Sequence, residues 1–232
     1  MNAQAVLIID VADSRQVNDF PAQRDDLLAS LSRRHRSKGW CDADYVVTAW
    51  DEFQGLVIAP ASLPWVIWDI LLSVYPISLR MAIGGGEVER HAQGDQPINR
   101  SATGEAFYLA REAMDGLRKS RRVTLQARIA MRWNVPLIEA AGNGILRLVD
   151  VLVGRITRKQ WDVIAAYEQL GKQTDVAQAL EKSESTVSRS LASAHYWELR
   201  ASLEDLASVL NLSYPSDGAE ASSDEPSGSV IR

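Results

Sequence analysis

Residues 174–191 constrain this chain more sharply than any other segment, because Thr174-Asp175-Val176-Ala177-Gln178-Ala179-Leu180 and Ser183-Glu184-Ser185-Thr186-Val187-Ser188-Arg189-Ser190-Leu191 read as two short helices joined by a tight turn. Val176, Ala177 and Leu180 recur at helical spacing as an inner face, and Ala177 is small enough for a second helix to cross closely. Ser183 is a residue type that caps helices, and Val187 and Leu191 give the second helix its inner face. The outward side of that helix is then rich in hydroxyls. Lys182, Ser183, Ser185, Thr186, Ser188 and Arg189 together form a set suited to phosphate and base-edge contacts, so DNA is the expected partner.

The small Ala177, the Ser183 cap and the Thr186-Val187-Ser188-Arg189 run resemble the helix-turn-helix of small bacterial regulators and sigma-factor-like domains. Two positions depart from that pattern: Glu181 stands where a turn glycine is usual, and Lys182 where an apolar residue usually packs. The same unit can also serve as a packing or dimerisation module. A formal net charge of -5 excludes a chain coated in basic surface for nonspecific nucleic-acid binding. From Arg155 to Arg200 seven basic residues face six acidic ones, so any DNA contact is local.

With 232 residues, 46% of them hydrophobic, the chain has material for two domains with cores of their own. Its single cysteine, Cys41, excludes an internal disulfide, and three histidines do not assemble a Cys/His zinc spacing. There is no leader pattern and no apolar run approaching the roughly 18 residues of a membrane span, so a cytoplasmic location is expected and a membrane partner is not.

Along residues 1–127 the order reads as strand, helix, hairpin, helix, strand, helix, strand. Ala5 to Val11 is a continuous apolar run interrupted by Asp10, as in a strand buried on both faces. A helix over Pro21 to Ser37 follows, then a hairpin of Tyr45–Thr48 and Gln54–Ala59, a helix over Leu63–Val74, a strand over Ser78–Val88, a helix over Ala102–Ser120 and a last strand at Val123–Gln126. The Gly84-Gly85-Gly86 triplet marks a bulge or a close backbone approach. It lacks phosphate-loop spacing and a following Lys-Ser/Thr, which favours the bulge. The fold class is α+β: a ferredoxin-like or palm-type sheet with helices on one face, followed by an all-α helix-turn-helix domain. Residues 128–154 are assigned to a connecting helix with a break expected at Gly142-Asn143-Gly144, residues 155–212 to the helix-turn-helix domain, and residues 213–232 to a disordered acidic tail. Tyr196, Leu199, Leu203, Leu206 and Leu210 form an a/d seam that either packs back on its own domain or joins two copies into a homodimer.

Asp10 near the end of the first strand, with Asp51 and Glu52 at the hairpin turn expected beside it, places carboxylates on adjacent strand ends. Hard oxygen ligands so placed can hold Mg²⁺, which in turn binds and polarises a nucleotide triphosphate. Ile8-Ile9-Asp10-Val11-Ala12-Asp13-Ser14-Arg15, Trp50-Asp51-Glu52-Phe53-Gln54-Gly55, Arg80-Met81-Ala82-Ile83-Gly84-Gly85-Gly86 and Gly104-Glu105-Ala106-Phe107-Tyr108-Leu109-Ala110-Arg111 resemble the SatD family over roughly residues 5 to 200. That resemblance implies an N-terminal domain similar to nucleotide cyclases and GGDEF diguanylate cyclases, joined to a C-terminal helix-turn-helix. It also implies metal ligation by Asp10, with Asp51 or Glu52, and Asp13 nearby; the basic residues Arg15, Arg80 and Arg111 are the candidates to reach nucleotide phosphates. Trp50 departs from the glycine that precedes the aspartate in such turns, which closes the backbone approach a nucleotide needs.

Six basic residues without an acid lie between Arg118 and Arg132 (Arg118, Lys119, Arg121, Arg122, Arg128 and Arg132) and either extend a DNA surface or form a solvated helix end. The seven tryptophans have no stacking-platform spacing and read as core or interface residues. Three functions are therefore open: a DNA-binding regulator with a nucleotide- and Mg²⁺-binding or degenerate sensor domain, an active cyclase or nucleotidyltransferase, and a non-catalytic interaction protein.

Overall fold

The computed structural model describes residues 4–12, 20–91, 101–119 and 128–212. Strand β1 (Gln4–Val11) lies at the centre of a five-stranded mixed sheet because every residue from Ala5 onward is buried. It pairs antiparallel with β3 (Glu52–Val57) on one side and β4 (Leu79–Gly86) on the other. Strand β2 (Val46–Ala49) extends the sheet beyond β3, and β7 (Ile129–Trp133) runs parallel to β4 at the opposite edge, giving the order β2-β3-β1-β4-β7. Strands β5 (Glu89–Arg90) and β6 (Ala102–Thr103) form a separate pair.

Helices cover both faces of the sheet, not one. Ala5, Leu7, Ile9 and Val11 pack with α1 (Phe20–Ser37), α2 (Leu63–Val74), α4 (Pro136–Val153) and α8 (Tyr196–Leu212), whereas Val6 and Ile8 pack under α3 (Glu105–Lys119). A strand apolar on both sides cannot leave one of them to water. The glycine triplet is likewise not a bulge: Gly84, Gly85 and Gly86 stay in continuous register with Val6, Ala5 and Gln4. It is a close approach. A Cβ on Gly84 would lie 2.1 Å from the Ala106 carbonyl oxygen and 2.2 Å from the Ala110 nitrogen, so this glycine lets α3 lie on the sheet.

The last strand is Ile129–Trp133, in the stretch assigned from sequence to a connecting helix, while the expected Val123–Gln126 strand lies outside the described residues. Ile129, Met131 and Trp133 alternate inward with period two, a pattern hidden at the end of the basic run. Helix α4 then continues unbroken through Gly142-Asn143-Gly144. A Cβ on Gly142 would meet the Met131 sulfur at 2.2 Å. Asn143 Oδ1 accepts from the Met131 N–H at 3.0 Å, and its Nδ2 donates to the Met131 carbonyl at 2.8 Å. Glu139 Oε2 accepts from the Trp133 N–H at 2.9 Å, so α4 satisfies the outer edge of β7 with side chains.

Helix α5 (Arg158–Leu170) starts in a capping box between Thr157 and Gln160 and ends at Gly171, whose φ of 72° is left-handed. Two shorter helices follow, α6 (Gln173–Ala179) and α7 (Glu184–Ser193). The a/d seam of α8 is turned inward: Leu199, Leu203, Leu206 and Leu210 are fully buried within their own chain. Leu199 and Leu203 join the core of α5, α6 and α7 together with Trp68 of α2, while Leu206 and Leu210 belong to the sheet core. Each such side chain contributes about 1.5–3 kcal/mol on burial. A second copy would meet α8 on its other side, where Trp197 and Leu212 are exposed. Among the described residues no helix is long and apolar enough to cross a membrane.

Candidate functional site

Antiparallel pairing sets Asp10 of β1 directly opposite Glu52 of β3 on one side and Arg80 of β4 on the other. By the strand alternation all three lie on the α3 face, where Asp10 and Glu52 are each only 3% exposed. Two carboxylates directly opposite each other repel. Arginines from α3 resolve that conflict. Arg118 donates through Nη2 to Asp10 Oδ2 at 3.1 Å and to Glu52 Oε2 at 3.0 Å, and through Nε to Asp10 Oδ2 at 3.2 Å. Arg111 grips Glu52 in a bidentate fork, 2.9 Å to each oxygen. Arg80 Nη1 reaches Asp10 Oδ2 at 3.3 Å, and the Thr48 hydroxyl donates to Glu52 Oε1 at 2.7 Å. Arg111 and Arg118 are two helical turns apart, which puts both on the sheet-facing side of α3.

Burial alone would raise the Glu52 carboxyl, but hydrogen bonds from Arg111 and Thr48 and the charges of Arg111 and Arg118 outweigh it and hold the group below its ordinary value. The bond to Glu52 in turn raises the Arg111 guanidinium. As folded, this donor set does not fit Mg²⁺: Asp10 Oδ2 receives N–H groups from Arg80 and Arg118, Glu52 accepts two guanidinium bonds from Arg111, one from Arg118 and one from the Thr48 hydroxyl, and among the described residues no group of three His, Cys, Asp or Glu side chains could hold a metal ion.

Of the four expected metal ligands, Asp10 and Glu52 come together. Asp51 stands in the turn between β2 and β3, where its carbonyl accepts from the Val11 N–H at 3.0 Å. Trp50 beside it is 52% exposed. Arg80 and Arg111 converge on the carboxylates, and Asp13 and Arg15 lie outside the described residues. Arg118, read from sequence as the start of a basic run, instead joins this cluster, and its separation of seven from Arg111 is the signal that pairs them. Two further described members of the basic run meet acids, Arg128 bonding Asp150 at 2.8 Å and Arg132 bonding Glu139 at 2.8 Å and Glu112 at 3.1 Å, while Lys119 is exposed at the end of α3. Arg121 and Arg122 lie outside the described residues.

The second candidate surface is on α7. Val176 and Ala177 of α6 and Val187 and Leu191 of α7 are buried together, while Lys182, Ser183, Ser185, Thr186, Ser188 and Arg189 are all exposed. Ser183 caps α7, accepting from the Thr186 N–H at 3.3 Å, with its hydroxyl 2.8 Å from Thr186 Oγ1 and 3.0 Å from Ser185 Oγ. Arg189 Nε donates to the Ser185 carbonyl at 3.1 Å. Glu181 takes φ of 51°, so a non-glycine residue adopts the left-handed turn expected of glycine. Lys182 stays in solvent, and its N–H donates to the Ala177 carbonyl at 2.8 Å.

The SatD family model matches residues 5–203, a span that contains both the arginine–carboxylate cluster and the α7 surface. No curated protein matches the chain.

Proposed function

Because the chain belongs to the SatD family, matched over residues 5–203, and carries an exposed hydroxyl-and-arginine face on a capped helix, we propose that it is a DNA-binding, transcription-regulatory protein whose sheet domain is a degenerate relative of nucleotide-binding palm domains. The observation that carries this reading is α7: its apolar side is spent on α6 and its other side offers Ser183, Ser185, Thr186, Ser188 and Arg189, with Lys182 ahead of them, to a major groove. In this reading α6 and α7 are the helix-turn-helix, with Glu181 at its turn. The strand order β2-β3-β1-β4 with antiparallel neighbours supports the ferredoxin-like, palm-type assignment of the sheet.

The cluster where such a domain would hold nucleotide and Mg²⁺ is filled by Arg80, Arg111 and Arg118, which favours a remnant over an active cyclase or nucleotidyltransferase. The test is affinity for duplex DNA selected from genomic fragments, measured against salt. Each phosphate contact contributes roughly −0.9 to the slope of log K against log salt, and Arg189→Ala should weaken binding and reduce the slope by about one. Binding that ignores both salt and Arg189→Ala refutes the proposal. Glu181 and Glu184 flank the start of α7, and a salt-insensitive protein partner for the same face is the reading those acids favour.

A further inference from the structure

A groove of about 630 Å³ opens where the C-terminal end of α1 and the side of α2 meet α5 and α8. Its volume is that of a small-molecule site, and it lies between the sheet side of the chain and the helices that carry α7. Three indoles line it. Trp68 is buried, its Nε1 donating to Glu168 Oε1 at 2.8 Å, whereas Trp40 and Trp65 are half-buried. Lys38 Nζ lies 4.3 Å from the Trp40 ring centroid, and the Arg200 guanidinium lies 4.5 Å from that of Trp65.

The charges decide what the groove would take. Asp69 Oδ2 accepts from Arg34 Nε at 2.9 Å and Nη2 at 2.8 Å, and sits 2.8 Å from His35 Nε2. Glu168 Oε1 accepts from Arg200 Nη1 at 3.2 Å and from the Tyr196 hydroxyl at 2.9 Å. Each carboxylate in the groove is therefore matched by an arginine. Lys38 is left over, with no carboxylate within ion-pair distance among the described residues. A cationic ligand would find the Trp40 and Trp65 rings already engaged by cations and the two acids already paired. An anion finds Lys38, and a flat ring extends the stack that Trp65 and Arg200 begin.

From this we infer that the groove binds a planar aromatic molecule carrying one acidic group, either a carboxylate or a phosphate, with the acid on Lys38 and the ring against Trp65 and Arg200. Because its walls come from α1 and α2 on one side and α5 and α8 on the other, such a ligand favours one arrangement of the sheet and the α5–α8 unit. That regulatory consequence rests on the DNA reading above; the binding does not.

The experiment is calorimetry on the full chain with salicylate and AMP as probes, against salicylamide and adenosine, which present the same rings without the acid. The expected result is saturable binding of at least one acid, with its uncharged counterpart and the exposed Lys38→Ala variant each weakening the interaction roughly tenfold or more. Which acid binds separates a carboxylate source from a nucleotide one. Binding of neither acid overturns the inference, as does equal affinity for acid and uncharged analogue, or an unchanged affinity in Lys38→Ala. A chain that binds the acid but no DNA refutes the DNA reading and leaves the groove assignment standing.

Discussion

Replacing Glu52 with Gln removes one charge from the cluster on the α3 face and keeps the side chain's shape. The wild-type carboxylate accepts two bonds from Arg111, one from Arg118 and one from Thr48, while only 3% exposed. Charge-assisted bonds of this kind contribute about 1.5–3 kcal/mol each when measured singly, and they do not add. The arginine side chains are 44% and 41% exposed, so once released they rehydrate, which discounts the loss. The net expected cost is about 2–3 kcal/mol, or about 5–10 °C in Tm for a chain of this length. It should be read by urea unfolding at pH 7 and again on acidification. Glu52 has a depressed pKa in the fold, so its stabilisation is present above the unfolded value and is lost as pH falls through the lower folded one. The wild-type advantage over Glu52→Gln should therefore shrink below about pH 4 and vanish in stronger acid. Arg118→Gln should also cost less in the Glu52→Gln background than alone, because the two share a bond. A cost under about 0.5 kcal/mol at pH 7, or an advantage that persists into acid, refutes the reasoning. Stabilisation by Glu52→Gln would mean that the cluster is a pair of repelling carboxylates awaiting a cation.

Gly84→Ala would press a methyl into the α3 backbone and should cost at least about 2 kcal/mol by chemical denaturation, with α3 and its arginines displaced from Asp10 and Glu52. Ser183→Ala removes the α7 cap and should lower stability by about 1 kcal/mol; the same variant should weaken any DNA affinity measured in parallel. Glu181→Gly relieves a left-handed non-glycine residue and should raise Tm slightly, by up to about 1 kcal/mol in stability, because the strain removed exceeds the entropy returned to the unfolded chain. Cys41 is buried, and burial pushes its thiol up to about 11, so a thiol reagent at pH 8 should label it only at the rate of unfolding.

Much of the sheet was legible because its strands obey strong local rules. The apolar run of β1 and the limits of α2 are close to what the pattern of residues implied, and the Thr174–Leu191 stretch folds into two short helices with Ser183 as cap. What escaped depended on partners distant in sequence. Gly84 looks like a bulge until Ala106 and Ala110 are known to lie on it, and Asn143 looks like a helix breaker until the open edge of β7 is placed beside it. The carboxylates were visible as a group because strand ends converge by topology. Their neutralisation was not, because it depends on α3 returning over the sheet and turning Arg111 and Arg118 inward at seven-residue spacing. Charge sign alone suggested a metal site; charge pairing, which only the fold reveals, argues for a closed one.

The way α8 is used bears on how the two halves communicate. Its first two turns pack on α5 and α7, and its last two reach the sheet core through Leu206 and Leu210, while Trp68 of α2 inserts among the helices and bonds Glu168. Helix α8 thus contributes to both cores, and the half-buried Leu71 and Ile145 pack against both of them, so the two cores are joined by more than the connection near residue 155. Cutting the chain there would strip Leu206 and Leu210 of their partners, a loss of several kcal/mol on each side of the cut. In the proposed regulatory reading, a signal from the sheet side would travel as a small rigid shift of α8 against α2, because packed cores exchange between discrete arrangements instead of bending continuously. The groove beside Trp65 and Arg200 is lined by both helices, so an occupant would touch α2 and α8 together.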